Sequence, residues 1–257
     1  MNMRYTLTLI AFTCLFLSCH QNDKEIIVDV DKEFYIKPWE NLNETGGNLQ
    51  LQVETILKQS CPETSINYYV NVSGSKVIVT LRELYNLTPC FTANEAAHDT
   101  IDIEGLEKNK TYDFQLNLKD IVINKGSLTL QDDKYTINML NENGISIPIK
   151  EVLRVPQNAV WGYIAFPNGQ ERAATQLIDS LKTITAPLSI ADGNYGYFNM
   201  KDNKVTVLPK VISASKPNYV YFIYHINNKN RLQNIIETAH STLDYTILTS
   251  NGKVFTK

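Results

Sequence analysis

Four histidines, four cysteines and no excess of positive charge set the first limits on this 257-residue chain. A formal charge of −3 does not suit a nucleic-acid binder, whose affinity comes from phosphate neutralisation by clustered Lys and Arg, and it argues equally against a polybasic membrane surface. Neither GxSxG nor HExxH occurs, and Gly46-Gly47 is followed by neither the lysine nor the helix of a phosphate-binding loop. The cysteines lack CxxC spacing and no histidine pair lies close in sequence, so no zinc site and no cofactor are expected. Among His20, His98, His225 and His240, only His98 has an adjacent carboxylate, Asp99, and it reads as a solvated loop residue; His240 borders a helical apolar stripe. Asp29 with Asp31, or Asp132 with Asp133, would serve a glycosidase only across a cleft, and they read as strand ends and turns. Asp132-Asp133 also lacks the ligand ladder of a calcium loop.

What is present begins at the amino terminus. Arg4 precedes an apolar run from Leu7 to Leu17, shorter than the roughly 20 residues of a permanent membrane-spanning helix, and small Ser18 follows. That is the pattern of a signal-peptide core. The stretch Leu15-Phe16-Leu17-Ser18-Cys19 resembles the lipobox of bacterial lipoproteins, with Phe16 where Leu, Val or Ile is usual. The resemblance implies cleavage before Cys19, acylation of its thiol, and a membrane partner reached through lipid rather than a helix, each buried methylene adding about 0.8 kcal/mol. His20 replaces the aspartate that retains such proteins at an inner membrane, which implies the outer membrane of a two-membrane cell. Residues 1–18 are then the signal peptide and 19–24 a polar tether. Loss of Arg4 takes the formal charge from −3 to −4.

With Cys14 removed and Cys19 acylated, Cys61 and Cys90 remain as an even pair in an oxidising compartment. A disulfide is the economical reading, and closing a loop of about thirty residues would stabilise the fold by roughly 3 to 4 kcal/mol. Two buried thiols are the alternative.

Two periodicities divide the rest. Over 25–150 the apolar residues alternate, as in Leu49, Leu51, Val53; Ile66, Tyr68, Val70, Val72; Val77, Val79, Leu81; Tyr112, Phe114, Leu116, Leu118; and Leu128, Leu130. Such strands, punctuated by Gly- and Asn-containing turns, predict an antiparallel β-sandwich. The segment Ile101 to Leu118 resembles the E-to-F crossing of fibronectin type III and other immunoglobulin-like domains, with Leu106 before the turn and Tyr112 at the tyrosine-corner position. The buried tryptophan of that family has no match, since Trp39 lies too early.

Over 156–257 the pattern becomes βαββαβ, which predicts a ferredoxin-like α+β domain. Strands are expected at Ala159 to Phe166, Asn194 to Met200, Tyr219 to Ile226 and Tyr245 to Ser250. Helices are expected after Asn168, with Glu171 at the capping-box position and Ala174, Leu177, Ile178 and Leu181 on one face, and from Asn228 to Leu243. Lys204 to Leu208 reads as an additional strand that departs from this order. Assigning Val160, Ile164, Phe166, Phe198, Met200, Val220, Phe222, Tyr224 and Ile226 to the helix-covered face turns Trp161, Tyr163, Tyr195, Tyr197, Tyr219, Tyr221 and His225 to the other. That aromatic face is the candidate binding surface, for the sandwich domain or a second copy, or for a sugar or peptide; the remaining alternative is an inverted face assignment. The chain therefore reads as a lipid-anchored envelope protein that binds or assembles with a protein or glycan. An envelope hydrolase or its accessory subunit, with a cleft between domains, is the second reading.

Overall fold

The computed structural model describes residues 31–44, 46–59, 64–86, 95–119, 121–207 and 215–257. The signal segment, the tether with Cys19, and both Cys61 and Cys90 lie outside the described residues, as does Asp29. Asp31–Lys257 forms one compact unit.

Alternation in the first half produces strands with one dry and one wet face. Strand β1 (Phe34–Asn41) pairs antiparallel with β2 (Asn48–Gln59). The next hairpin is β3 (Thr64–Ser73) and β4 (Lys76–Asn86), followed by β5 (Glu95–Asp102) and β6 (Lys110–Leu118). Strands β7 (Val122–Leu130), β8 (Lys134–Met139), β9 (Ile145–Ser146) and β10 (Glu151–Leu153) complete this half. They form a four-stranded sheet, β5-β2-β1-β9, and a six-stranded sheet, β10-β8-β7-β6-β4-β3. Ile36, Leu51 and Ile101 from the first sheet share one core with Val79, Phe114 and Leu128 from the second. The mostly-β layering is compatible with a sandwich.

The expectation of purely antiparallel pairing needs correction, because β4 runs parallel to β6 and β1 parallel to β9. Strand β5 belongs to the other sheet, so the chain leaves and re-enters the six-stranded sheet between β4 and β6. A crossover of that kind brings the second strand back in the same direction. At the β5–β6 crossing the buried Tyr112 hydroxyl accepts the Glu107 N–H at 2.7 Å, and Leu106 packs on the core. Tyr68 is 37% exposed beside a β3–β4 register shift between Asn67 and Tyr68, while Val70 and Val72 of the same alternate set pack on the core.

In the second half, β11 (Ala159–Phe166) leads into helix α1 (Glu171–Lys182) and the short β12 (Thr185–Pro187). A small hairpin sheet follows, β13 (Gly193–Asn194), β14 (Phe198–Lys201) and β15 (Lys204–Val207). Strand β16 (Asn218–Ile226), a 3-10 turn at Lys229–Arg231, helix α2 (Leu232–Glu237), β17 (Asp244–Thr249) and β18 (Val254–Thr256) finish the chain. The main sheet runs β12-β16-β11-β17-β18. Both helices pack on one side, where Ala174, Leu177, Leu181, Leu232 and Ile236 meet Val160, Ile164, Phe222 and Ile247.

Two element assignments change. The stretch Asn194 to Met200 does not join the main sheet: Tyr195 and Gly196 form a turn, closed by Tyr195 N–H donating to the Phe198 carbonyl at 2.9 Å, and β14 pairs with β15 instead. The second helix is shorter than Asn228 to Leu243. The Thr238 hydroxyl donates to the carbonyls of Asn234 and Ile235 and competes with helix continuation, while Leu243 is still buried beside Leu232 and Ile236. Helix α1 has Gln170 at its N-cap without a side-chain bond, and Asn168 instead accepts from the Asn218 amide at 2.8 Å.

Candidate functional site

The face of β11 opposite the helices is not open. Residues 193–207 fold across it, so Trp161 (0% exposed) and Tyr195 (3%) become core residues with Phe198, Met200 and Val207. Trp161 lies 5.3 Å from Phe198 between ring centroids, and Tyr195 stacks on Phe198 at 4.7 Å. Phe198 and Met200 are thus buried on the side opposite to the one expected. Tyr163, Tyr197 and Tyr221 are half-buried against the same cluster. Tyr219 is exposed, with its ring 5.0 Å from that of Tyr221, and half-buried His225 exchanges a hydrogen bond with Asn227. Segment 193–207 supplies a second apolar layer, so both sets of alternate side chains on β11 are dry. The aromatic set is an internal core whose border alone reaches the surface.

At that border the two halves meet through Trp39. Its indole N–H donates to the Tyr197 hydroxyl at 3.1 Å, with ring centroids 4.5 Å apart. The Tyr197 hydroxyl in turn donates to the Glu40 carbonyl at 2.8 Å, and burial raises its pKa above the ordinary tyrosine value. Gly196 turns beneath the indole with φ +79°, and a Cβ there would sit 3.1 Å from the ring. Glycine is needed on both counts. Trp39, half-buried, lines a cleft of about 770 Å³. Lys37 and Gln52 come to this cleft from the outer face of the first sheet, Asn194 and Asn199 from the β13–β14 hairpin, and Pro148 and Ile149 from the connecting loop.

Beneath Trp39 lies an ionic cluster. Glu40 occupies an inward position of β1 and is 1% exposed. Its carboxylate accepts the Arg154 Nε–H at 3.0 Å, the Tyr135 hydroxyl at 3.2 Å and the Val155 backbone N–H at 2.7 Å. The Arg154 guanidinium also lies 5.2 Å over the Tyr135 ring. Burial, then the neighbouring carboxylate, pushes the Tyr135 hydroxyl far above its ordinary pKa. Gly47 fits here for want of room: a Cβ would come within 2.1 Å of Glu40 Oε1. This cluster ties β1, next to Trp39, to the segment that leads from β10 into β11.

The outer face of the first sheet continues from the cleft toward a shallow depression of about 210 Å³ that includes Tyr35, Glu54 and His98 and shares Lys37 and Gln52. His98 stands opposite Glu54 in the β2–β5 register. Asp99 does not orient it, because its carboxylate accepts the backbone N–H groups of Thr100 and Ile66. His240 bonds locally to Thr242, and Asp132 accepts from the Asn109 amide. Among the described residues no group of three or more His, Cys, Asp or Glu is placed to hold a metal, and no helix is long and apolar enough to cross a membrane. Comparison with family models, with curated proteins and with solved structures finds no match.

Trp39, Glu40 and Arg154 are the residues that sequence reasoning missed. Parity offered one signal: Phe34, Ile36 and Glu40 share the inward set of β1, so Glu40 needed a buried partner. The identity of that partner, 114 positions away, had no local signature.

Proposed function

We propose that this protein is a lipid-anchored component of the cell envelope that acts by binding, and that it takes a neutral glycan in the cleft lined by Trp39. The observation that carries the reading is the indole itself, held in place by Tyr197 and Gly196 while still lining the cleft. Around it, Gln52, Asn194 and Asn199 offer both donors and acceptors, and Lys37 adds a donor. Sugars combine an apolar C–H face with a rim of hydroxyls, which suits an aromatic floor with amide walls. None of the lining residues is a carboxylate, whereas glycoside hydrolysis ordinarily needs two.

The lipobox-like residues Leu15 to Cys19 support acylation at Cys19, and His20 supports an outer-membrane address. The finer fold reading accompanies this one. The Tyr112 tie at the β5–β6 crossing supports an immunoglobulin-like sandwich, with the parallel β4–β6 pair as a departure from that pattern. The order β12-β16-β11-β17 with helices on one side supports a ferredoxin-like arrangement extended by β18.

Titration of the chain from Cys19 onward against envelope oligosaccharides tests the function. Trp39→Ala should weaken binding at least about tenfold, as loss of a central aromatic anchor does. Because Trp39 is also packed, Asn199→Ala on the exposed hairpin is the companion variant; it should weaken binding severalfold with an unchanged melting temperature. Full affinity in both variants, or no glycan bound by the parent chain, would overturn the cleft. Cleavage of a bound oligosaccharide would overturn the binding-only role.

A further inference from the structure

One end of the first half exposes apolar side chains that the fold does not use. The chain enters β1 there, with the Glu33 and Phe34 N–H groups donating to the Gly144 carbonyl at 2.8 and 3.2 Å. Leu140 (87% exposed) and Ile121 (82%) stand at this same end, with Ile123 beside them and Leu57 from the neighbouring sheet. The pairing fixes their place: Leu140 N–H donates to the Lys125 carbonyl and Ile56 N–H to the Glu33 carbonyl.

The turns that carry them are clamped. Fully buried Asn124 donates to the Asn143 carbonyl at 2.9 Å and accepts from Asn143 N–H at 2.7 Å and from the Asn141 amide at 3.0 Å. Lys125 N–H donates to Asn141 Oδ1 at 2.9 Å. Single exposed apolar residues are ordinary, but a group held rigidly at one end marks a contact surface. Lys32, Lys58, Arg82, Lys119 and Lys125 are exposed at this end, and so are Asp31, Glu33, Glu83 and Glu95; Glu142 is paired with Lys150 at 3.1 Å. Charges of both signs therefore surround the apolar group.

We propose that this end is a membrane-contacting tip, which sets Ile121, Ile123 and Leu140 into the interface of the leaflet that holds acylated Cys19, with the charged side chains around them toward the headgroups. The proposal rests on the lipid-anchor reading above. The place where the described chain begins selects a lipid surface over a second copy or a protein partner. Asp31, the first described residue, lies at the tip, and only about twelve residues, at most roughly 40 Å when extended, separate it in sequence from Cys19. Acyl chains supply the hold, and the tip sets the orientation. Strand β1 runs from the tip at Phe34 toward Trp39, about 17 Å farther on, so the cleft is carried away from the membrane.

The tip is read without acyl chains by flotation of the chain from residue 19 onward, carrying Cys19→Ser, with vesicles of phosphatidylethanolamine and phosphatidylglycerol. It should float, held by the inserted apolar side chains. Ile121→Asp with Leu140→Asp should weaken flotation about tenfold while leaving the melting temperature unchanged, since both side chains are more than four-fifths exposed. Ile121→Trp should shift its emission to the blue on vesicles and be quenched by brominated lipid. A parent that does not float, a double variant that floats equally, or a parent dimer dissociated by the same two substitutions without vesicle binding would each overturn the tip. Palmitate uptake by the full-length protein is scored separately. Its loss with flotation intact sinks the anchor alone; uptake without flotation of the Cys19→Ser chain sinks the tip alone.

Discussion

Strands β6 and β11 both lie inside their sheets, yet they divide their side chains differently between core and water. On β6, Tyr112, Phe114, Leu116 and Leu118 are buried while Thr111, Asp113, Gln115 and Asn117 face outward. On β11, Val160 and Ile164 meet the helices while Trp161 is buried under β13–β15, and Tyr163 and Phe166 alone are half-buried. A strand with one wet face needs polar residues at every second position, and β6 has them. A strand covered on both faces reads as a continuous apolar run, and its alternation carries no orientation. The difference lies in segment 193–207, which supplies a layer that β11 itself does not encode.

The sharpest way to break this contrast is Trp161→Ala. With the indole fully buried between sheet and hairpin, the substitution should cost about 3 to 5 kcal/mol, as other large-to-small core changes do. Tyr69→Ala, at a 53% exposed position of β3, should stay within about half a kcal/mol. The indole N–H has no partner among the described residues, so Trp161→Phe should lose much less than Trp161→Ala, removing a buried donor along with some volume. Denaturant melts of the three variants decide the matter. Near-parental stability of Trp161→Ala would mean that the hairpin does not cover β11 in solution.

What could be read in advance follows the same division. Inward residues of β2, β6 and β7 were legible because period-two alternation survives wherever one face is wet. The helix-side set on β11 and β16 was also legible, since Val160, Ile164 and Phe222 belong to the more apolar alternate row. The destination of Tyr195 and Phe198 was not. Local pattern assigned them to a main-sheet strand, and only a turn at Gly196 together with pairing to Lys204–Val207 moves them above it. The cleft was hidden for a related reason: Trp39 and Tyr197 come together from positions 158 apart, and no short stretch contains both.

The Glu40–Arg154 pair tests whether the junction behaves as a core or as a surface. Arg154→Ala leaves a carboxylate that is 1% exposed without its cation, though with its bonds to Tyr135 and Val155, and should cost about 3 kcal/mol. Replacing both partners, Glu40→Gln with Arg154→Met, should recover part of that loss, because the charge is no longer stranded. A cost below about 1 kcal/mol for Arg154→Ala would place the cluster among solvated surface pairs instead.

The smallest effect concerns the crossing in the first half. Tyr112→Phe removes a single hydroxyl that accepts the Glu107 N–H at 2.7 Å, while the ring stays buried and Lys110 keeps its place 5.1 Å over the ring. Glu107 is exposed, so its released N–H can turn to water, and the variant should lose about 1 kcal/mol, the net worth of one ordinary hydrogen bond. Tyr163→Phe on β11 removes a hydroxyl that accepts from Thr246 at 3.2 Å between two side chains, and should cost less still. The order of these two losses is informative. The Tyr112 hydroxyl ties a loop between two sheets to its own strand, whereas that of Tyr163 joins side chains on strands already paired backbone to backbone. Equal losses would mean that the crossing is held by Leu106 and the core rather than by the tyrosine hydroxyl.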